Sequence, residues 1–277
     1  MAEKTILITG CSSGIGLASA KLLRANGWRV FASCRKEDDC KALRQDGFES
    51  PRIDYSDPES IRSGFDATME ATGGTLDALF NNGAYAIPGP VEDLPTDALR
   101  AIFDSNFFGW HDLTLNALPI MRAQGHGHII QCSSVLGFVT SPWRGAYNAT
   151  KFALEGLTDT MRIELRDTDI KVVLIEPGPI RTKFRENAIP HFEKWVDWEN
   201  SPRADQYRDN LLDKLYKGSG SATFELEAEA VAQKVLKALT TSNPRPRYFV
   251  TTPTYLMAIL KRILPTRVLD QVLSKGG

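Results

Sequence analysis

The apolar residues of this chain alternate between two rhythms. TILITG, residues 5–10, is a continuous apolar run closed by glycine, the pattern of a strand buried on both faces. Over residues 15–25 the apolar positions recur at helical spacing instead, and Gly27 marks the stop. WRVFASC (28–34) predicts a second strand and PRIDYSD (51–57) a short third, after which Pro58 occupies a first-turn helix position. LDALFNN (76–82) predicts the fourth strand, with a long helix following over about residues 104–124. HIIQCSS (128–134) predicts the fifth, and a helix carrying Tyr147 and Lys151 comes next. KVVLIEPG (171–178) predicts the sixth strand and RYFVTT (247–252) the seventh. Strands separated by whole helices need crossover connections. The fold predicted is therefore α/β: a doubly wound, seven-stranded parallel sheet of Rossmann type with helices on both faces. Ligands bind such sheets outside the carboxyl ends of the strands, where every motif below falls.

Composition narrows this only modestly. With 277 residues, 42% of them hydrophobic, the chain supports one large core, and 1–277 is read as a single domain. A formal net charge of −1 gives no global field for nucleic acid. The four cysteines, Cys11, Cys34, Cys40 and Cys132, form no Cys-x-x-Cys pair, and the four histidines show no ligand spacing. Free thiols and no metal are expected. No leader pattern opens the chain and no apolar stretch reaches the ~20 residues that span a bilayer, which gives a cytoplasmic expectation.

Between the first strand and the first helix the chain reads Thr9-Gly10-Cys11-Ser12-Ser13-Gly14-Ile15-Gly16. Glycines open backbone angles closed to other residues and let the main chain approach a diphosphate. The helix N-terminus beyond them offers free N–H donors and a partial positive charge. Ser12 and Ser13 add hydroxyl donors. A glycine turn without a ligand is the plainer alternative, and the flanking strand and helix favour an anion cradle.

This Gly-x-x-x-Gly-x-Gly loop is the first of an ordered series. Asn81-Asn82-Gly83-Ala84, Asn106 in SNFFG, Ser133-Ser134, Tyr147-x-x-x-Lys151 and Pro177-Gly178 follow. The series resembles the short-chain dehydrogenase/reductase family in its compact form, closely over residues 5–182 and more loosely over 225–250. The resemblance implies an oxidoreductase interconverting an alcohol with an aldehyde or ketone by hydride transfer. It implies Gly10, Ser12, Ser13, Gly14, Ile15 and Gly16 around the cofactor phosphates and Asp54 at the adenine amino group. Asn82 and Gly83 would lie against the adenosine. Pro177, Gly178, Ile180 and Thr182 would cradle the nicotinamide carboxamide. The family's usual Asn-Ala-Gly is here Asn82-Gly83-Ala84, which leaves the local backbone open. Asp54 also suits an N-terminal cap on the following helix.

The second strand ends Ser33-Cys34-Arg35-Lys36. An acid at that place accepts the ribose 2′-hydroxyl of NAD, whereas a cation suits the 2′-phosphate of NADP. Cys34 stands where the acid would, and the guanidinium of Arg35 matches phosphate geometry. NADP(H) is the cofactor expected. Glu37, Asp38 and Asp39 are read as first-turn helix residues rather than partners of Arg35.

Reducing a carbonyl requires a hydride and a proton. A free tyrosine, with a pKa near 10, is poorly matched to proton transfer at neutral pH. An ammonium about 5 Å away, at an effective dielectric of about 20, would lower that pKa by roughly two units. Helical spacing of four brings the two groups that close. Tyr147 is the expected acid/base and Lys151 the group that tunes it. The resemblance adds a hold by Lys151 on the nicotinamide ribose, a bond from Ser134 to the substrate oxygen, and a water anchored by Asn106 on a proton path. Ser133 is the neighbour that competes with Ser134, and spacing to Tyr147 favours Ser134. Asn106 alone also suits a helix kink or a polar core contact.

From 183 to 224 the periodicity lapses while His191, Phe192, Trp195, Trp198, Tyr207 and Tyr216 collect. In the family this segment is the substrate lid, and its aromatics imply an apolar or bulky carbonyl substrate; ordinary packing of an irregular loop is the alternative. The tail, 253–277, mixes apolar residues with Lys261, Arg262, Arg267 and Lys275, and Pro265 divides it into two short helices. It is read as packing on the domain or on a partner subunit, with a membrane surface as the alternative. LKRILPTRVLD resembles the branch near retinol and 17β-hydroxysteroid dehydrogenases and bacterial aldehyde reductases. The family implies a homodimer through the long helix and the Tyr147 helix. A non-catalytic NADP(H)-binding sensor is the rival from another class; such a protein would be expected to lose Tyr147 or Lys151, and both are present.

Overall fold

The apolar runs lie side by side in one parallel sheet in the computed structural model, which describes residues 3–218 and 224–274. The sheet contains β1 (Lys4–Ile8), β2 (Trp28–Ala32), β3 (Ala78–Asn81), β4 (Gly127–Cys132) and β5 (Ile170–Glu176). The chain then forms β6 (Ile180–Arg181) and β7 (Leu226–Glu227), which pair only with each other, and completes the main sheet with β8 (Arg247–Phe249). The spatial order is β2-β1-β3-β4-β5-β8. Ile6, Leu7 and Ile8 of β1 and all of β3 are fully buried. Cover on both faces is why these strands read as unbroken apolar runs rather than alternating ones.

The sheet has six strands, not seven, because the stretch at 51–57 does not form a strand. It meets the outer edge of β2 only through bridges between Phe31 and Glu49 and between Cys34 and Arg52. The Ala32 amide reaches the Glu49 carbonyl at 2.7 Å and the Ile53 amide reaches the Cys34 carbonyl at 3.0 Å. Between them the ladder needs an N–H at Pro51, which has none. The Ser50 hydroxyl donates to the Ala32 carbonyl instead, at 2.6 Å.

The helices are α1 (Gly14–Ala25), α2 (Glu37–Gln45), α3 (Pro58–Thr72), α4 (Thr96–Phe103), α5 (Gly109–Gln124) and α6 (Gly145–Glu164). After them come α7 (Phe184–Trp195), α8 (Ala204–Gln206), α9 (Asp213–Tyr216), α10 (Ala228–Thr240), α11 (Thr252–Ile263) and α12 (Thr266–Leu273). α1 and α10 pack together on one face of the sheet, and α3, α5 and α6 cover the other.

Two helical expectations are corrected. The long helix begins at Thr96 rather than near 104, and a π-turn, Asp104–Phe108, joins α4 to α5. That turn adds a residue to the repeat, which hides the first half from a period-3.6 reading. It also sets Gly109 against Tyr55, where an added Cβ would come within 2.3 Å of the Tyr55 carbonyl oxygen. The segment 183–224 is largely helical rather than irregular, apart from 219–223, which lie outside the described residues. Pro190 sits inside α7 and a second π-turn, Tyr207–Leu212, lies between α8 and α9, so its rhythm is broken twice. The tail forms two helices on either side of Pro265, as read; Lys275 lies outside the described residues. No helix among the described residues is long and apolar enough to cross a membrane.

Candidate active site

The order β2-β1-β3 reverses direction at β1, and the crevice there holds the glycine loop. Gly10 and Gly14 adopt φ of +68° and +56°, closed to most side chains. Gly16 permits the tight turn: an added Cβ would lie 2.3 Å from the Gly10 carbonyl oxygen. Ser13 is the N-cap of α1 but makes no side-chain cap bond, and the first turn contains no acid. The amide donors at that helix end are not taken up by a capping side chain, and Ser12 lies exposed beside them. This chemistry fits a diphosphate.

Across the crevice, Asn82 ties β3 to β1. Its side chain donates to the Thr9 carbonyl at 3.0 Å, and its amide donates to the Thr9 hydroxyl at 2.9 Å. Gly10 and Gly83 nearly touch, since a Cβ on Gly10 would lie 2.6 Å from the Gly83 Cα. At Gly83 itself a Cβ would meet Gly10 at an ordinary 3.4 Å. The swapped Gly83-Ala84 order is therefore sterically neutral at the first of its two positions.

At the end of β2, Cys34 is buried, and burial pushes its thiol up to about 12. Arg35 is exposed, and no carboxylate among the described residues pairs with it. The three neighbouring acids do open α2, as read. Glu37 pairs with Arg44 at 2.7 Å and Asp38 with Lys41 at 3.1 Å, which leaves the Arg35 guanidinium available. Asp54 is half-buried, accepts from the Ser56 amide at 3.1 Å and lies 3.9 Å from Arg52. The cap on α3 is Asp57, whose carboxylate accepts from the Glu59 and Ser60 amides at 3.1 and 3.2 Å. The capping alternative for Asp54 falls away.

One turn into α6, Tyr147 and Lys151 are both buried. Ser134 lies beside the Tyr147 hydroxyl and favours its ionised form, and the Tyr147 ring meets Phe184 edge-on at 5.3 Å. Of the two serines, Ser134 is the one that acts on the Tyr147 phenol. The Ser133 hydroxyl is buried without a partner, beside Gly137 and Glu155. Ser134 is half-exposed and accepts from the Leu136 amide at 3.1 Å.

The electrostatics of the pair differ from the sequence reading. Burial holds the Tyr147 phenol above its ordinary range; Cys132 adds to this, while Ser134 and Arg144 oppose it. Lys151 lies 5.5 Å from the Tyr147 ring centroid, but its ammonium donates to the Cys132 carbonyl at 2.7 Å and sits 4.2 Å from the Trp110 ring centroid. Burial pulls Lys151 down to about 8, against Cys132 and Glu155. In a buried site the loss of hydration works against both charged forms, raising the phenol and lowering the ammonium.

Asn106, fully buried in the first π-turn, donates to the Tyr85 carbonyl at 2.8 Å and accepts from the Tyr85 amide at 3.1 Å. Beyond β5, Pro177 accepts from the Val135 amide at 2.8 Å, which places it beside Ser134. At Gly178 a Cβ would lie 2.1 Å from the Thr251 hydroxyl. Thr182 closes on the glycine loop, 2.9 Å from where a Gly14 Cβ would be, and Ile180 packs in the same small cluster as Ile15. The loop after β5 and the loop after β1 therefore form two sides of one crevice.

A second apolar cluster covers Tyr147. Tyr85, Phe192, Val196 and Tyr207 are buried in it, and Trp143, Phe184, Trp195 and Trp198 pack against it. His191 stacks on Tyr85 with centroids 3.7 Å apart. Sequence reasoning missed Tyr85, Trp110, Trp143 and Phe184. Trp110 had a usable signal, lying four positions after Asn106 on the same helix; the others depend on tertiary packing.

A family model described as short chain dehydrogenase matches residues 4–192. The Escherichia coli K12 protein YbbO, named an uncharacterized oxidoreductase, is 41% identical over 98% of this chain and 94% of its own length. An Ornithobacterium rhinotracheale protein named NADPH-dependent 3-dehydrocapnine reductase is 31% identical over 97% of this chain and 95% of its own. A crystal structure of a short chain dehydrogenase/reductase from Burkholderia phymatum in complex with NAD superposes with a TM-score of 0.77. It has 26% identity and covers 98% of this chain and 95% of that one.

Proposed function

The chain belongs to the short-chain dehydrogenase/reductase family of oxidoreductases, and from that premise we propose that it is an NADP(H)-dependent carbonyl reductase acting on an apolar aldehyde or ketone. The observation that carries this reading is the buried Tyr147 one helical turn from the buried Lys151, with Ser134 beside the phenol and an apolar lid above.

The bound nicotinamide supplies or accepts the hydride. The α1 end with Gly10, Ser12, Ser13, Gly14, Ile15 and Gly16 binds the diphosphate; Asn82 and Gly83 line the adenosine, and Asp54 takes its amino group. Pro177, Gly178, Ile180 and Thr182 orient the nicotinamide end. Ser134 holds the substrate oxygen, and the Tyr147 hydroxyl donates its proton to it. A phenol held above its ordinary range is protonated at neutral pH and so carries the proton that reduction requires. Lys151 holds ribose hydroxyls and returns a proton to Tyr147. Asn106 acts by fixing the Tyr85 backbone beside the substrate. The lid, 183–224, excludes water and selects apolar substrates through Phe184, Phe192, Trp195 and Trp198. A homodimer through α5 and α6 fits the exposed Leu115 and Ile163, and we place the protein in the cytoplasm.

The test is decay of NADPH absorbance with a panel of aldehydes, ketones and steroids. Tight NADPH binding with no turnover on any of them would favour the sensor.

The choice of NADP(H) rests on Arg35. Arg35→Asp is expected to shift the ratio of kcat/KM for NADPH over NADH towards NADH by about tenfold or more, the worth of a charge-assisted phosphate contact. An unchanged ratio would place the 2′-phosphate elsewhere.

The pH profile carries a further expectation. Lys151 is cationic below its pKa of about 8 and loses that charge above it. Reductive kcat/KM should be flat at neutral pH and decline as pH passes about 8. Lys151→Ala should weaken both turnover and cofactor affinity and remove this inflection; an inflection that persists would assign it to another group.

A further inference from the structure

The C-terminal helices turn their large apolar residues outward. α11 directs Thr254 and Ala258 inward, both buried, while Tyr255, Leu256, Ile259 and Ile263 are exposed by 45, 49, 56 and 66%. At helical spacing these four fall within an arc of about 100°, a single stripe along the helix. α12 buries Leu269 and extends the pattern with Val268 and Val272, one turn apart and exposed by 42 and 39%. Single exposed apolar residues are ordinary, but six on two consecutive helices are not.

The charges around the stripe have one dominant sign. Lys261, Arg262 and Arg267 stand against Asp270 as the only acid of α11 and α12. No carboxylate among the described residues pairs with any of the three cations. Lys261 lies 5.8 Å from the Phe152 ring centroid, and Arg262 donates to the Ala258 carbonyl at 3.0 Å. The whole chain has a net charge of −1, so this local excess is not inherited from composition.

We propose that α11 and α12 lie on the surface of an anionic phospholipid bilayer. The stripe enters the boundary between headgroups and acyl chains, and Arg262 and Arg267 meet the phosphate headgroups, while Lys261 lies on the face of α11 turned to the domain, over Phe152. α11 has 12 residues, long enough to lie in that boundary and far too short to span it. A second copy of the chain is a poorer occupant. A two-fold contact over the stripe would bring Arg262 and Arg267 against the same two, with one acid from each side to offset them. The contact is independent of the reaction, since none of these residues belongs to the crevice.

The test is sedimentation of the full-length protein with extruded vesicles, either pure phosphatidylcholine or equimolar phosphatidylglycerol and phosphatidylcholine. Binding to the anionic vesicles at low salt is expected, falling as salt rises and at least about tenfold weaker on the neutral ones. Ile259→Glu combined with Ile263→Glu should reduce partitioning by at least about tenfold. Replacing Arg262 or Arg267 by Ala should cost about fivefold each. These positions are exposed, so the variants should keep the wild-type melting temperature, which separates lost binding from lost fold. Absence of binding to anionic vesicles at low salt overturns the proposal. So does a wild-type dimer that the double variant converts to monomer while vesicle binding is unchanged, because the stripe would then be a self-contact.

Discussion

Tyr147→Phe should reduce turnover by about 10²–10⁴-fold, the range that general acid–base catalysis supplies, while leaving NADPH affinity nearly unchanged. The substitution removes one oxygen and keeps the ring, so the edge-on contact with Phe184 survives. Ser134 keeps its bonds to the Pro177 carbonyl and from the Leu136 amide, so the fold has little reason to weaken. Lys151 is untouched, because its hydrogen bond goes to Cys132 rather than to the phenol. Steady-state rates with a competent aldehyde and a fluorescence titration of NADPH separate the two effects. Retained activity in the Phe variant would show that the proton comes from another group. Parallel losses of rate and affinity would show that the hydroxyl binds cofactor instead.

Arg247→Met should be the most damaging substitution outside the crevice, costing about 3–5 kcal/mol of stability. Arg247 pairs at once with Glu155, Asp159 and Glu176, and Glu176 is fully buried. Methionine matches the aliphatic stem but leaves the buried Glu155 and Glu176 pair, which shares a proton, without its counter-ion. Asp159 keeps Arg162 as a partner. For a chain of this size the melting temperature should fall by about 10 °C. The loss should depend on pH. Burial, then the charge of Glu155, holds the Glu176 carboxyl above the ordinary carboxylate range, and Arg247 opposes this. With its folded pKa raised, Glu176 retains a proton that the unfolded chain has released. Its stabilisation is complete below the ordinary carboxylate range and is lost as pH rises through the raised value. The variant should therefore be worst in mild alkali and recover in mild acid. A deficit that stays constant across pH would reject the charge account and leave only lost packing.

What the sequence disclosed about the site tracks how local each cause is. The glycine loop, the first-turn acids of α2, the ends of β4 and β5 and the Tyr147–Lys151 spacing all follow from short-range rules, and the fold brings them to one crevice. The third strand was misread because the defect is a single absent N–H at Pro51, whose effect depends on the partner strand. α4 and the lid helices were missed where π-turns and Pro190 shift the helical register. The shift on Tyr147 was misjudged in direction because burial is a property of the assembled core. The second cluster around Tyr85, Trp143 and Phe184 draws on segments far apart in the chain, so no local pattern announces it.

The incomplete ladder beside β2 also bears on how the molecule behaves in a crowd. Ser50 and Pro51 cover the rim of the sheet with a segment that fills its valences yet cannot be extended as a strand. A neighbouring chain arriving on that side finds no row of open amides and carbonyls to copy. Edge-to-edge addition directly onto β2 is hindered there by one imino acid and one hydroxyl.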